Sequence, residues 1–470
     1  MASRRVVVVG AGITGLVAAR ELGRDGSLEV ICLEASDRIG GQVHTVPAEG
    51  ALVDVGAEAI HLGAPHIAAL ADELGLTQSV LGATPGSSVL ATRKGLRPLP
   101  AGVGPTGPTK IWPVLKSGIL SPAGLVRAGL EPLMARKRFT EDLGVGDFTA
   151  RRFGREVTDT FVDPLLGNLH GGDVHQLSLQ ATAAQLVPTA ANGRSMLLKT
   201  LKRPATTPAA PKPGKAPLPM FASWPTGLGT FTEALAAQSK ATIRTKAPVE
   251  ALERIGQQWR VVLADGEAID ADHVLLTTPG PVSSGLLREH CPAAAALYDQ
   301  VPLVSVATVL LGWRREDVAD NPTLRDANGI LLPSNRARTF KAATNLTRKW
   351  PHLETPLHLL RASVGRDGNT LADDLTDEQL AARVAAEIGE LTGLLAAPVF
   401  SAVHRWPHSM PQLRPGHKAR VAAARQALQE LGGISIAGSA VDGLGISSTV
   451  KSGQQAAREI LTTAKDTQAS

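Results

Sequence analysis

The sequence predicts an α/β protein that opens with a Rossmann-like βαβ unit. Residues 5–9 carry a run of β-branched valines, which is typical of a short buried strand. Apolar side chains then recur at helical spacing at Leu16 and Leu22, and a second buried strand follows at residues 30–33. Because a glycine-rich turn joins the first strand to the helix, residues 5–34 are expected to form a dinucleotide-binding unit.

Beyond this unit, helical and strand-like patterns occur in blocks. An amphipathic helix is expected at about 65–76, and helical patterns broken by proline dominate from about 104 to 200. Residues 203–219 are rich in proline, which is typical of a mobile loop or an extended linker. Strand patterns return at 241–249 and in a hairpin over 259–273.

The last third of the chain mixes both patterns. Strands are expected at 303–312 and 357–364, and a helix is expected through Leu380 and Ile388. A strand at 434–437, a second glycine-rich turn and another helix complete the pattern.

Composition limits the classes of function. The chain has 470 residues, 43% hydrophobic and 19% charged, which is enough for two or three domains with large cores. Its two cysteines, Cys32 and Cys291, exclude a disulfide framework and a cysteine-rich metal cluster. Aromatic residues make up 3%, and the basic residues behind the formal charge of +5 are dispersed, so no nucleic-acid partner is expected. A small acidic substrate fits this charge.

The N-terminal residues could be mistaken for a secretion signal. Arg4 and Arg5 precede an apolar run, but the glycines within that run have turn spacing rather than the pattern of a cleavage site. No stretch approaches the ~20 uninterrupted apolar residues of a spanning helix. We therefore expect a cytoplasmic protein without a transmembrane segment, at most peripheral to a membrane.

The strongest motif is Gly10-x-Gly12-x-x-Gly15, which follows a strand and opens a helix. The first glycine permits a tight turn, the second lets the backbone approach a pyrophosphate, and the third allows close packing of helix on strand. The phosphates would lie on N–H groups at the helix start, where Ile13 and Thr14 are candidates. Glu34 ends the second strand, where its carboxylate can accept hydrogen bonds from ribose hydroxyls and would repel the 2′-phosphate of NADP.

Two further glycine-rich segments favour the longer dinucleotide FAD over NAD. One follows Glu34 and carries a glycine pair past which an extended dinucleotide can run, and the other is the turn near the end of the chain. The candidate cofactor residues in them are Arg38, Gly40, Gly41, Gln42, Val43, Gly56, Ala57 and Glu58, and then Gly438, Val441, Asp442, Gly443 and Ile446. Two phosphate- or flavin-facing turns at opposite ends of one chain suit one long cofactor.

Residues 5–58, with Gly40 and Gly41 after Glu34, resemble the flavin amine oxidase superfamily. Further segments are similar to its protoporphyrinogen/coproporphyrinogen oxidase branch, and they follow that branch's order over nearly the whole chain. They are Gly95-Leu-Arg97-Pro-Leu-Pro100 and residues 118–124, 177–181, 227–229, 343–352, 360–366, 405–412 and 437–448.

The resemblance implies three domains. An FAD-binding domain would combine residues 1–80, 220–295 and 413–470. A substrate domain with a mixed sheet would combine residues 81–103 and 296–412, and a helical domain over 104–219, with the proline-rich loop 203–219, would cover the pocket.

The resemblance also implies roles for residues. Ala35, together with Glu34 and the glycines, would contact the adenosine and phosphates, and Val249 would present its backbone to the adenine. FAD would be bound non-covalently. Arg97 occupies the place of an arginine that pairs with a propionate of the substrate, and a guanidinium suits a carboxylate.

The chain departs from the branch where the tetrapyrrole pocket is expected. In residues 167–173, Asn168 stands where the branch has a glycine, and His170 stands where it has an aromatic residue. These two are the candidate catalytic residues. Gly63 and Ala64 stand where many relatives have basic residues. No metal site is expected, because Pro407 lies between His404 and His408 and would break a helix carrying both.

The implied activity is dehydrogenation of a porphyrinogen by FAD, with O2 as acceptor and H2O2 as product. The substrate would be an acidic tetrapyrrole: coproporphyrinogen III giving coproporphyrin III, or protoporphyrinogen IX giving protoporphyrin IX. The pocket departures leave two alternatives open. One is a related FAD-dependent enzyme that oxidises an amine or a reduced heterocycle, and the other is a flavoprotein that carries a tetrapyrrole without turnover.

Overall fold

The computed structural model describes residues 4–201, 217–336 and 338–469 of the chain. Most of the proline-rich stretch 203–219 lies outside the described residues, so the expectation of a mobile loop there stays a prediction.

The strands, β1 to β22 in chain order, are Arg4–Val9, Leu28–Leu33, Thr45–Ala48, Ala51–Asp54, Ile60–His61, Leu81–Gly82, Val89–Thr92, Gly95–Pro98, Val103–Gly104, Gly107–Pro108, Phe221–Ser223, Thr242–Arg244, Val249–Ile255, Gln258–Leu263, Ala268–Ala271, His273–Leu276, Leu303–Arg314, Gly329–Leu331, Phe340–Asn345, Leu357–Val364, Phe400–Pro411 and Ile434–Ile436.

The α-helices, α1 to α22, are Ile13–Gly23, Pro65–Glu73, Ile111–Ser117, Pro122–Gly129, Glu131–Met134, Val145–Phe153, Arg155–Val157, Asn168–His170, Leu179–Thr182, Val187–Asn192, Met196–Leu201, Gly229–Ala237, Gly280–Leu287, Pro292–Asp299, Arg315–Val318, Pro322–Asp326, Leu346–Lys349, Leu371–Asp374, Asp377–Thr392, His417–Leu431, Ser439–Asp442 and Ile446–Ala469. A π-helix spans Thr158–Gly167, and 3₁₀ turns span Ala184–Leu186 and Ser334–Arg336.

A five-stranded parallel sheet confirms the predicted βαβ unit. Its strand order is β12-β2-β1-β16-β22, so its strands come from the beginning, the middle and the end of the chain. Val6 and Val8 face one core cluster, and Val7 and Val9 face another. Because both faces of β1 are covered, its valines form a continuous run instead of alternating with polar residues.

One expected strand is divided in two. Residues 241–249 form β12, which extends the parallel sheet, and the start of β13, which belongs to a three-stranded antiparallel sheet. Lys246 lies between them with φ of 54°, a left-handed conformation that ends the first strand. The N–H groups of Lys246 and Ala247 donate to the carbonyls of Ser36 and Glu34 at 2.8 Å each. This break carries Val249 past the end of β2.

A seven-stranded mixed sheet of order β21-β17-β20-β19-β18-β7-β8 is the second layer, and it confirms the expected mixed sheet. Its β18–β7 pair is parallel and its other pairs are antiparallel. One face packs against helix α19, as Ala307 and Val309 do with Leu380. The opposite face contacts β4, where Leu310 packs with Val53.

Helices α3 to α11 confirm the helical character expected from about 104 to 200. Among them, Phe153 and Phe161 pack on Leu90 of β7. The helical region therefore covers the same face of the mixed sheet that contacts β4. The domain boundaries themselves stay a prediction. In the described part of the chain, no helix combines the length and the apolar character that crossing a membrane requires.

Candidate functional site

The turn between β1 and α1 shows three different reasons for its three glycines. Gly10 has φ of 101°, a conformation that side chains disfavour. A Cβ on Gly15 would lie 1.8 Å from the Gly10 carbonyl oxygen, so helix and strand pack there without room for a side chain. A Cβ on Gly12, in contrast, would meet no atom within 4 Å. Only Gly12 therefore leaves open space, at the start of α1 where a pyrophosphate would approach.

Glu34 lies at the end of β2 with its carboxylate facing this turn. Glu34 Oε2 accepts a hydrogen bond from the Ala11 N–H, and Oε1 accepts from the N–H and hydroxyl of Ser36, each at 2.9 Å. A carboxylate can accept about four hydrogen bonds, so capacity remains for a ribose hydroxyl. Ala35 is exposed beside it, and Val249 is brought close because Ala247 bonds to the Glu34 carbonyl.

The glycine pair Gly40 and Gly41 packs directly on the first turn. The Gly40 N–H donates to the Ala11 carbonyl at 2.8 Å, and a Cβ on Gly41 would lie 3.2 Å from Gly12 Cα. Arg38 donates to the Gly41 carbonyl at 2.9 Å and holds this loop in place. The N–H of Val43 donates to the Gly40 carbonyl at 3.0 Å. The two glycine-rich segments thus form one continuous backbone surface.

The C-terminal turn reaches the same helix. The Thr14 hydroxyl donates to the Thr449 carbonyl at 3.2 Å, and a Cβ on Gly453 would lie 2.4 Å from the Thr14 carbonyl oxygen. Gly438 and Gly443 have φ of 119° and 112°, which is why glycine is needed on both sides of α21. Val441, Ile446 and the Asp442 backbone lie in this turn, whereas the Asp442 carboxylate is engaged by Arg425 at 2.8 Å and by Ser452.

Residues 54–58 join this cofactor surface to the mixed sheet. A Cβ on Gly56 would lie 2.0 Å from the Gln42 carbonyl oxygen, and the Ala57 N–H donates to that carbonyl at 3.0 Å. The Val55 carbonyl accepts from the Thr308 hydroxyl at 2.7 Å and from Trp406 Nε1 at 3.3 Å. Residues 54–58 thus form a junction in which Gly56 and Ala57 are small, as expected if a flat ring is to approach there.

Glu58 is a structural centre of this junction. Its carboxylate pairs with Lys349 at 2.6 Å and with Arg361 at 3.2 Å, and it accepts from Trp350 Nε1 at 2.9 Å. Burial alone would raise the pKa of Glu58, but the two cations outweigh it and lower the pKa to about 2. Glu58, which the sequence suggested as a cofactor residue, therefore uses its side chain to hold β20 and α17 against residues 54–58.

Asn168 and His170 lie together at the buried end of the helical region. Asn168 Nδ2 donates to the carbonyls of Leu332 and Lys341, at 3.2 and 2.8 Å, and its oxygen accepts from Arg366. His170 Nδ1 is buried and has no hydrogen-bond partner. Burial, reinforced by the neighbouring Lys341, lowers the pKa of His170 to about 4, so its ring is neutral at physiological pH.

Arg97 lies apart from these two, on the edge strand β8, and is exposed. It nevertheless shares a face of the mixed sheet with the junction, because directly paired residues of neighbouring strands point to the same side. The paired row runs from His404 through Thr308, Ser363, Ala342, Leu331 and Leu90 to Arg97. Five strand spacings separate Thr308 from Arg97, or about 24 Å along the sheet.

Three residues of this region were not among the site residues predicted from the sequence. Lys341, Arg366 and Gln412 surround residues 168–172, and Gln412 Nε2 donates to the His170 carbonyl at 3.0 Å. One signal was present: Lys341 is the one charged residue in the strand Phe340–Asn345. Among the described residues, no group of three or more histidine, cysteine or acidic side chains is arranged to hold a metal ion.

Known proteins of one family match this chain over most of its length. The family model for flavin-containing amine oxidoreductases matches residues 13–461. The chain belongs to this family. It is 31% identical to a coproporphyrinogen III oxidase of Bacillus subtilis (strain 168) over 98% of both chains. It is 30% identical to the coproporphyrinogen III oxidase of Staphylococcus aureus, over 98% of this chain and 99% of the other. These relatives confirm the resemblance to the porphyrinogen oxidase branch.

A solved structure agrees. A candidate protoporphyrinogen oxidase from Exiguobacterium sp. 255-15 superposes with a TM-score of 0.84 and 26% identity, covering 98% of this chain and 99% of the other. The protein is thus an FAD-dependent oxidoreductase with the fold of this family. Its residues fit the cofactor: Gly12 is the open glycine of the turn between β1 and α1, where a pyrophosphate would lie, and Glu34 has capacity to accept from a ribose hydroxyl.

Proposed function

We propose that this protein is an oxygen-dependent porphyrinogen oxidase whose substrate is coproporphyrinogen III, with protoporphyrinogen IX as the alternative. The observation that carries the proposal is the match to coproporphyrinogen III oxidases over 98% of the chain, at 31% identity for the Bacillus relative. The match spans the cofactor surface and the mixed sheet together, so the relation covers the pocket as well as the FAD half.

Charge in the pocket region supports the same substrate class. Arg97 is exposed at one end of the row, and Lys341 is buried near its middle. Two cations on one surface suit a substrate that carries carboxylates. They oppose an ammonium substrate, so the amine-oxidising alternative has less support.

FAD, when bound, would take a hydride from a carbon of the macrocycle, and O2 would then accept the electrons as H2O2. The protein's own contribution is to bind, orient and keep out water. The backbone around Gly12 and the carboxylate of Glu34 would hold the dinucleotide, and residues 54–58 would fix its ring end against Thr308 and Trp406. His170, neutral and buried, would face the macrocycle without adding charge.

We further propose that FAD is held non-covalently and that the protein works in the cytoplasm. Both cysteines are buried and free, and neither lies in the C-terminal turn. Burial raises the pKa of the Cys32 thiol to about 12, so it does not form the thiolate that attachment to a cofactor would require. Denaturing the yellow protein in acid should therefore release all of its FAD into the supernatant.

The decisive experiment follows the flavin itself. Under anaerobic conditions, coproporphyrinogen III should bleach the bound flavin, whereas a panel of cyclic amines should not. In air, the enzyme should produce fluorescent porphyrin with three H2O2 per macrocycle, since six electrons are removed, and added NAD should change nothing. A rate equal to the no-enzyme control would refute the proposal, and bleaching by an amine would favour the alternative substrate class.

A further inference from the structure

Lys341 is a buried lysine without a counter-ion. Only 7% of the residue is exposed, and among the described residues its amino group has no hydrogen bond and no ion pair. Taking an unpaired ammonium out of water is costly, so folded proteins rarely keep one without a reason. Replacement by an apolar residue would be the simpler solution in a strand that is otherwise neutral.

The amino group lies against the segment that carries the candidate catalytic residues. The position of a Cβ on Gly171 would be 3.1 Å from Lys341 Nζ, 3.7 Å from the Gly365 carbonyl oxygen and 3.7 Å from Val306 Cγ1. Val306 precedes Thr308 by two residues on β17, so both point to the same face of the sheet. Lys341 thus lies on the face that meets residues 54–58, two strands from Thr308, or about 10 Å.

The carboxylate beside Arg366, that of Asp163, is already occupied. Asp163 accepts from Arg366 Nη1 at 3.0 Å and from the Ser334 N–H at 2.6 Å. Asn168 takes the other side of the same guanidinium. Asp163 therefore neutralises Arg366, and among the described residues no carboxylate pairs with Lys341.

The titratable groups beside Lys341 are His170 and Arg366, and neither of them is an anion. His170 on α8 is neutral and has an unpartnered Nδ1, although it is more than nine-tenths buried. Arg366, after β20, is a second cation. Asp163, on the π-helix, is paired as described. Burial and the Arg366 charge lower the pKa of Lys341 to about 7, so the amine is half protonated near neutrality.

We propose that Lys341 binds a carboxylate of the substrate beside residues 168–172, as a residue that determines specificity for acidic substrates. This inference rests on the proposed function. The incoming carboxylate would supply the missing counter-ion, and His170 Nδ1 is available as a second polar contact. Arg97 lies on the same face three strands away, or about 14 Å, so the two cations could bind carboxylates on opposite sides of one flat ring.

The test uses the FAD-loaded protein and two variants. Lys341→Met keeps the length and removes the charge, and Lys341→Arg keeps a charge that does not titrate in this range. Coproporphyrin III is the ligand, and its tetramethyl ester, without free carboxylates, is the control. Calorimetry at pH 8 in two buffers of different ionisation enthalpy measures affinity and the protons taken up on binding.

Pairing with a carboxylate raises the pKa of an amine, so wild-type protein should take up a substantial fraction of a proton when coproporphyrin III binds at pH 8. Lys341→Met should weaken coproporphyrin III binding tenfold or more and abolish the uptake. Lys341→Arg should bind within a few-fold of wild type, also without uptake. Affinity for the ester should be the same in all three proteins. A structural lysine would not produce this pattern.

The unliganded proteins give a second measurement. Because Lys341→Met removes an unpaired buried charge, its melting temperature should equal or exceed that of the wild type, with unchanged FAD content. Equal affinity and equal proton uptake in wild type and Lys341→Met would overturn the inference and leave the proposed function standing. If wild-type protein neither binds coproporphyrin III nor oxidises its porphyrinogen, the proposed function fails and the inference fails with it.

Discussion

Gly12→Ala should separate cofactor binding from folding. Gly12 has φ of −69° and ψ of 179°, an extended conformation open to any residue. Its Cβ would meet no atom within 4 Å. The folded protein without FAD should therefore tolerate alanine, with stability unchanged or raised by up to about 1 kcal/mol because the unfolded chain loses freedom.

The cost should fall on FAD alone. The added methyl group would occupy the space that the pyrophosphate needs beside the N-terminus of α1, and the phosphate–N–H hydrogen bonds would lengthen. Loss of one such bond corresponds to about 1.4–2.8 kcal/mol, which raises the Kd for FAD about tenfold to a hundredfold. Titration of the apoprotein by quenching of flavin fluorescence measures this Kd, and thermal unfolding of the same apoprotein measures stability.

Gly15→Ala is the matched control three residues later. Its Cβ would lie 1.8 Å from the Gly10 carbonyl oxygen and 2.8 Å from Thr277 Oγ1, so helix and strand would have to separate. Overpacking of this kind costs about 3 kcal/mol or more and should lower the melting temperature of the apoprotein. If Gly12→Ala retained full FAD affinity, or lost as much stability as Gly15→Ala, the assignment of the open glycine to the pyrophosphate would be wrong.

Three other side chains give predictions that separate stability from substrate binding. Glu58→Gln should destabilise the protein by about 2 kcal/mol at pH 7, since two half-buried cations lose their partner. Because the folded pKa of Glu58 is about 2, below its ordinary value, this stabilisation is present above pH 4.5 and is lost as pH falls towards 2, which urea unfolding at several pH values measures. Arg97→Ala should lower kcat/KM for coproporphyrinogen III about tenfold, and Arg97→Lys should restore only part of it; unchanged kinetics would make Arg97 a loop charge. Asn168→Gly should lower the urea midpoint by an amount equivalent to about 1–3 kcal/mol, and an unchanged midpoint would contradict the contacts described for it.

The glycine turns of the candidate FAD site were predictable because their constraints are local. Gly15 packs on Gly10, the Gly10 N–H donates to Leu33 of β2, and Gly12 lies against Gly41 of the next glycine-rich segment. The spacing already specifies a turn at Gly10 and a packing contact at Gly15, and it predicts space for a ligand at Gly12. The break at Lys246 was not predictable, because residues 241–249 alternate like one strand and only the neighbouring β2 decides where the first strand ends.

The pocket half depends on contacts between distant parts of the chain. Glu58 meets Lys349 and Arg361 across 291 and 303 residues, so no local pattern reveals that its carboxylate is already paired. Lys341 gave a local signal, a single charge in a neutral strand, but the sequence does not show which segment faces it. The segment around Gly171 faces Lys341, and it lies far away in sequence, in the helical region.

Asn168 shows how this changes the interpretation of a departure from the family pattern. From the sequence, an asparagine in place of a glycine suggested a group in contact with substrate. In the fold, the Asn168 side-chain oxygen accepts from Arg366, and its Nδ2 donates to the carbonyls of Leu332 and Lys341. We therefore infer that Asn168 is a positioning residue: it fixes the guanidinium that occupies Asp163 and the strand that carries Lys341. Asn168 and Lys341 then belong to one arrangement. Asn168, which stands where the family has glycine, supports the strand of Lys341, and Lys341 is the cation that we propose for the substrate.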